Sequence, residues 1–338
     1  MPVIVSVVRG TNNLEAVLCH TYGRLRAFSW PGSWARTGLG HERVRGVRCV
    51  SSGLGPLVLG SGYGNLGGMK IVVCIKHVPD VQSDRRMEDG FLVRGEEDVL
   101  NELDENAVEA AVSLVEELGG EVVTLTVGPE DAEDGLRRAL QMGADSGVLV
   151  SDESLAGADV VATARTLAAA IARIGGVDPA SPREEDQAAT GDVDLVITGM
   201  ASLDSMTSML PGALAAALGV PALTLASVLE ASDDGEVLVT RATGTLREVL
   251  AAPTPALVSV TDQANEPRYP NFAAMRAAKK KPVDTWDLAE LGLEAGAGPA
   301  IAVVDSEARP AREAGIIRTD AGEAGRDLAA WLVDNKLV

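Results

Sequence analysis

Residues 199–211, Gly-Met-Ala-Ser-Leu-Asp-Ser-Met-Thr-Ser-Met-Leu-Pro, gather the chain's most suggestive ligand-binding chemistry. Gly199 permits close backbone approach, and Asp204 could accept hydrogen bonds from a sugar hydroxyl. Ser205, Thr207 and Ser208 stand where a helix is expected to begin, and free N–H groups beside hydroxyls at a helix start favour an anion. An ordinary strand-to-helix loop capped by Ser and Thr has the same composition, so spacing alone leaves both readings open. Two further loops qualify by position, 74–80 after a first apolar run and Val127-Gly128-Pro129 after a second.

Other chemistries find little support. The three histidines, His20, His41 and His77, and the three cysteines, Cys19, Cys49 and Cys74, show no zinc or disulfide spacing, which disfavours a triad or a His-based metal centre and fits a reducing compartment. No GxGxxG opens the first helix and no GxxxxGK[ST] occurs. A formal charge of −20 repels nucleic acid and anionic lipid, and no apolar run approaches the roughly 20 residues of a membrane helix. A globular, soluble protein is expected.

The elements that must position these loops alternate regularly. Residues 70–75 (KIVVCI), 121–127, 147–150 and 194–198 read as short buried strands. Between them, helices are expected from about Asp104, from Pro129 to a cap at Gly143, and over 159–174. This order requires right-handed crossovers and a mostly parallel sheet covered on both faces, a Rossmann-like α/β fold. Ligands in such sheets bind beyond the carboxyl ends of the strands, where successive connections leave on opposite sides. Residues 223–260 suggest a small antiparallel ribbon that finishes the sheet. The tail from 263, with Lys279, Lys280 and Lys281 among only six lysines, leaves the α/β rhythm as a C-terminal arm.

Residues 1–68 carry seven Arg, no Lys and two acids, a net of +5 that leaves −25 for the rest, and show no sustained period. The expectation is an unstructured or spurious N-terminal extension from an upstream start, with Met69 as the functional start; a transit peptide and a genuine extra domain are the alternatives. An α/β domain is then expected over 69–262, and a loop with a C-terminal arm over 263–338.

Asn265-Glu266-Pro267-Arg268-Tyr269, continued by Pro270-Asn271-Phe272 and by the 277–281 stretch Ala-Ala-Lys-Lys-Lys, resembles the signature of electron transfer flavoprotein beta subunits. The resemblance runs from Met69 to about residue 338 through KIVVCIKHVPD, LNELDENAVEAA at 100–111, GPE and RRALQMGAD within 128–145, and GMASLDSMTSMLPG at 199–212.

The resemblance implies that 69–262 is a nucleotide-binding domain of the adenine-nucleotide-binding type that buries AMP in a structural role, that 263–338 forms a partner-docking loop and C-terminal arm, and that FAD is held mainly by an alpha subunit. Carried over by position, the AMP contacts are Cys74, Asn101, Glu102, Leu103, Asp104, Val127, Gly199, Met200, Ala201, Ser202, Leu203, Asp204, Ser205, Met206, Thr207, Ser208, Met209 and Leu210. Val81 and Leu103 fall where relatives approach the flavin. The docking segment toward acyl-CoA dehydrogenases comprises Asn265, Glu266, Pro267, Arg268, Tyr269 and Phe272, with Phe272 as apolar anchor and the lysines steering the approach. Electrons would pass to a quinone reductase in fatty acid oxidation, in the cytoplasm or in the mitochondrial matrix of a eukaryote, with no substrate turnover by this subunit itself.

One departure bears on the ligand. Many relatives, including those that bifurcate electrons, have Asp-Gly-Asp-Thr-Gly-Gln near Asp204, where this chain has Ser-Met-Thr-Ser-Met. That favours AMP over a second FAD, and adaptable Met side chains can line an adenine pocket. A bifurcating subunit with FAD in the beta site, and a stand-alone ATP-binding homodimer of the same fold, remain the alternatives.

Overall fold

The structure, a computed structural model, describes residues 68–338 except 84–85, 89–90, 96, 179–187, 233–234, 295–300 and scattered positions between 302 and 321. In the head it describes the backbone of Ile4–Arg9, Leu14–Thr21 and Arg24–Phe28. Residues up to 302 form one compact unit and 303–338 a second.

The first unit is built on seven parallel strands: β1 (Met69–Cys74), β2 (Gly120–Val127), β3 (Ser146–Val150), β4 (Leu195–Gly199), β5 (Ala222–Ala226), β6 (Ala256–Val260) and β7 (Val283–Trp286). Their order is β5-β6-β4-β1-β2-β3-β7. Helices α1 (Glu102–Leu118), α2 (Glu133–Met142), α3 (Val160–Ile174), α4 (Leu210–Leu218) and α5 (Phe272–Ala278) connect them.

Alternation along the strands divides the core in two. Ile71, Val73, Val122 and Ile197 face α1 and α2 through Ala107, Val108, Ala111, Leu136 and Leu140. Val72, Leu125, Val148 and Val196 face α3 and α4 through Leu167, Ile171, Leu214 and Leu218. The chain moves outward from β1 to β3 with α1 and α2 on one face, then reverses to β4 and β5 with α3 and α4 on the other. Right-handed crossovers running in opposite directions require this. The switch point therefore lies between β1 and β4, which pair directly from Ile71 opposite Leu195 to Cys74 opposite Thr198.

Local chemistry sets the boundaries. Glu102, Asp104 and Glu105 occupy the first turn of α1, where the helix dipole favours acids. The helix ends at Gly119, and Gly120 has φ +126 with room for no Cβ, which would lie 2.0 Å from the Met69 carbonyl. The Asp159 carboxylate caps α3 by accepting the N–H groups of Val161 and Ala162 at 3.0 and 2.9 Å.

Two sequence expectations need correction. Within 223–260 the antiparallel ribbon comprises only Val228–Ala231, Glu236–Thr243 and Leu246–Pro253, while the ends of the stretch are the parallel strands β5 and β6. Every position of β6 is buried, as a central parallel strand demands, but the neighbouring turns masked its run. The tail also resumes the α/β rhythm: α5 packs against α2, and β7 pairs in parallel with β3 at the sheet edge. A seven-residue helix and a four-residue edge strand are too short for periodicity to register. In the head, Ile4–Arg9 pairs with Leu246–Pro253 and with Leu14–Thr21, strands that the aperiodic sequence does not signal. The second unit holds α6 (Ala324–Asp334), preceded by the Asp320 carboxylate accepting the N–H groups of Gly322 and Ala324.

The lysine cluster divides as well. Lys281 Nζ donates to the carbonyls of Leu140, Gly143 and Ala144 at 3.4, 3.2 and 2.5 Å, so it closes the C-terminus of α2, whereas Lys279 and Lys280 are exposed. Lys281→Met should therefore lower unfolding free energy by about 1–2 kcal/mol in urea titrations. Lys280→Met should change it by less than about 0.5 kcal/mol.

Candidate functional site: the switch point between β1 and β4

The first turn of α1 is fastened to both strand ends. Asn101 is fully buried; its backbone N–H donates to the Lys76 carbonyl at 2.9 Å. Its side-chain amide donates to the Ala201 carbonyl at 3.0 Å, and its amide oxygen accepts the Leu203 N–H at 3.0 Å. The buried Asp104 carboxylate accepts the Lys76 N–H at 2.8 Å. Against it lies Gly199, where a Cβ would fall 2.4 Å from Asp104 Oδ1 and 2.7 Å from the Leu103 carbonyl. Only glycine lets β4 end that close to α1.

Above this clamp a second layer is ionic. The Asp204 side chain, 2% exposed, pairs with Lys76 Nζ at 2.8 Å and with Arg94. Arg94 also donates to the His77 carbonyl at 3.1 Å. Asp204 thus faces two cations of the chain rather than presenting a free carboxylate. Burial works to raise its pKa, but the charge and hydrogen bonds of Lys76 and Arg94 prevail and hold it at about 2. Asp104 behaves oppositely: burial pushes it up to about 7, against hydrogen bonds from Asn101 and the backbone of Lys76 and Gly199. Burial, then the neighbouring Asp104, pushes the Cys74 thiol above its ordinary range.

Beyond Leu203 the loop turns outward. Ser205, Met206, Thr207, Ser208 and Met209 are exposed, Met206 and Met209 by 58% and 60%. Met206 and Ser208 both have φ +51, left-handed backbone that non-glycine residues seldom adopt and that concentrates at ligand sites. These dihedrals correct the expected helix start: α4 begins at Leu210, with Met209 at its N-cap, and the hydroxyls precede it. Glu102 is exposed on the first turn of α1, and Val127 is half-buried at the end of β2. Met200, Ser202 and Leu203 are half-buried, and Ala201 is buried. The structure therefore brings the ends of β1, β2 and β4 and the start of α1 to one end of the sheet. Val81 is 44% exposed.

The 265–272 segment, expected from the sequence to dock a partner, is mounted on α1. Asn265 and Asn106 exchange side-chain-to-backbone hydrogen bonds at 2.9 and 3.0 Å. Arg268 bridges Glu109 and Glu116, with Nε 2.8 Å from Glu109 and Nη1 2.6 Å from Glu116. The two acids are seven residues apart and so share a helix face. For Glu109, burial opposes ionisation, but Arg268 outweighs it and holds the carboxyl low. Glu266 is exposed and Pro267 half-buried. Tyr269 and Phe272 are each 88% exposed, and the Arg138 guanidinium lies 5.5 Å from the Tyr269 ring centre. Sequence reasoning missed Lys76, Arg94, Glu109, Glu116 and Arg138. Lys76, which directly follows the first apolar run, was the one with a signal.

An electron transfer flavoprotein domain matches residues 89–291. The electron transfer flavoprotein subunit beta of Mycobacterium leprae is 37% identical over 282 residues, covering 79% of this chain and 99% of the relative. The chain belongs to the electron transfer flavoprotein beta-subunit family. Subunit CarD of the caffeyl-CoA reductase–Etf complex of Acetobacterium woodii is 32% identical over 228 residues (67% of this chain, 80% of that protein). Protein FixA of Azorhizobium caulinodans is 35% identical over 231 residues (67% and 78%). Electron transfer flavoprotein beta subunits are electron carriers associated with flavin, and a beta subunit implies an alpha partner. Among the described residues no helix is long and apolar enough to cross a membrane.

The two buried acids give opposite pH signatures. Native Asp104 keeps its proton to about 7 while the unfolded chain releases it near 3.8, so its contribution to stability is present below about pH 4 and is lost as pH rises through 7. The Asp204 contribution is present above the ordinary carboxylate range and is lost as pH falls toward 2. In urea titrations, Asp104→Asn should therefore gain stability relative to wild type between about pH 5 and about pH 8.

Proposed function

We propose that this chain is the beta subunit of a heterodimeric flavoprotein that accepts electrons from acyl-CoA and other flavin dehydrogenases and passes them to a quinone reductase. In this reading AMP is a structural ligand of the switch-point loops, FAD is held mainly by the alpha partner, and the complex works in the cytoplasm or in the mitochondrial matrix of a eukaryote. The observation that carries the reading is the 202–209 loop, pinned at its root by Asn101 and left exposed at its tip.

The residues present fit an adenine nucleotide. Met206 and Met209 offer polarisable apolar surface to a base, and the hydroxyls of Ser205, Thr207 and Ser208 lie just before the α4 N-terminus, where a phosphate is favoured. The anionic layer at Asp204 is neutralised internally by Lys76 and Arg94, so it does not repel a phosphate as a bare carboxylate would. The flavin, when bound, supplies the redox chemistry. No residue of this chain needs to act as general acid or base, and its work is to brace the partner and present a docking surface.

For docking, Phe272 and Tyr269 are large apolar groups held outward on a segment that Arg268 and Asn265 anchor to α1. Rigidly mounted exposed aromatics surrounded by polar residues are the usual hot spots of association. Lys279 and Lys280 remain available to steer an acidic partner, while Lys281 is engaged by α2.

The heterodimer should show one flavin per pair in its visible spectrum; two would favour the bifurcating reading, with FAD in the beta site. Phe272→Ala should slow electron transfer from an acyl-CoA dehydrogenase about tenfold or more, the loss of one apolar hot spot, with flavin content unchanged. Undiminished transfer would remove the docking role.

A further inference from the structure

On the α1 and α2 side of the sheet, a cavity of about 310 Å³ opens between a short antiparallel pair of strands and the first turns of the two helices. The pair is His77–Pro79 with Asp98–Leu100, and the register sets His77 opposite Leu100 and Pro79 opposite Asp98. His77 and Asp98 are therefore diagonal neighbours on one face of the pair. Both line the cavity, together with Glu105, Asp134 and Arg138. Asp131, in the 3₁₀ turn Glu130–Ala132 that leads into α2, brings a third ligand to the same place.

One ring nitrogen of His77 and one carboxylate oxygen from each of Asp98 and Asp131 lie within 4.8 Å of one another. A second, independent observation is the state of the histidine. His77 is only 9% exposed, and its buried Nδ1 has no hydrogen-bond partner. Leaving such a nitrogen unpaired is costly, and an imidazole beside two carboxylates is a donor set that a metal ion satisfies. Charge points the same way. Glu105 is neutralised by Arg138 at 2.9 Å, but among the described residues no Lys or Arg pairs with Asp98, Asp131 or Asp134.

We propose that His77, Asp98 and Asp131 bind a divalent transition-metal cation such as Mn²⁺ or Zn²⁺, with water completing its coordination. Metal–ligand bonds of about 2.1 Å place ligand atoms roughly 3.4 Å apart in a tetrahedral arrangement, so the three groups, already within 4.8 Å of one another, need at most about 1.4 Å of further approach. The exposed Asp131 carboxylate is free to make most of that movement. One imidazole with two carboxylates selects against Ca²⁺ and Mg²⁺, which take oxygen ligands alone. The site lies outside the 199–210 loop and does not depend on which nucleotide binds there, although Arg94, which pairs with Asp204, also donates to the His77 carbonyl. It does share Arg138 with the docking segment, since that guanidinium both lines the cavity and lies over Tyr269.

Mn²⁺ is the better first probe, because Cys19 and Cys49 would compete more strongly for Zn²⁺. The full chain, titrated with Mn²⁺ and followed by the electron paramagnetic resonance of the free ion, should show one saturable site from which Zn²⁺ displaces it. Asp131→Asn, an exposed substitution that spares the fold, and His77→Gln should each weaken binding at least tenfold. Asp262→Asn, an exposed acid elsewhere, should leave it unchanged. Absence of saturable Mn²⁺ binding, or undiminished affinity in the Asp131→Asn chain, overturns the site.

Discussion

The close approach of α1 to the end of β4 is the contact on which the rest of this structure depends. Asn101 and Asp104 are polar groups placed where the sheet changes direction, and burial there is tolerable only if every donor and acceptor is met. They are met by backbone: Lys76 from the β1 side, Ala201 and Leu203 from the β4 side. Because Gly199 has no Cβ, the two sides come within hydrogen-bonding distance of one helical turn. That contact fixes the root of the 202–209 loop and leaves its tip unsupported, an arrangement suited to receiving a ligand rather than filling its own space.

The same helix organises the 265–272 segment. One face of α1 packs on the sheet, its first turn holds the switch point, and Glu109 and Glu116 hold Arg268 and thereby the segment carrying Tyr269 and Phe272. A partly buried guanidinium shared by two carboxylates is geometrically demanding, and loss of Arg268 would leave both Glu109 and Glu116 without their cation. A single helix thus links the switch-point loops to the 265–272 segment. Under the proposed function, that linkage would set the placement of the nucleotide loops relative to the segment that meets a dehydrogenase.

Much of this was legible in the sequence, for reasons that differ by element. The strands from Met69 to Gly199 are continuous apolar runs, because both faces of a parallel sheet are covered, and the helices between them carry clear caps at Asp159 and Gly143. The switch-point rule then selects the three loops without any knowledge of family. Pairing across distance was not legible. Nothing local in Arg94 shows that it reaches Asp204, 110 residues away, and nothing in Lys281 shows that it caps α2. The α4 boundary was misplaced because Ser and Thr before an apolar stretch look like caps, whereas Met206 and Ser208 adopt a left-handed conformation that interrupts the helix.

The central claim is that α1 and the 199–210 loop hold an adenine mononucleotide. Its most direct test is to release and quantify nucleotides from the heterodimer made with wild-type chain and with Asn101→Ala. The account predicts one AMP per wild-type beta chain and a large loss in the variant, with the flavin of the alpha partner retained. A second FAD in place of AMP, or AMP content unaffected by Asn101→Ala, would contradict it.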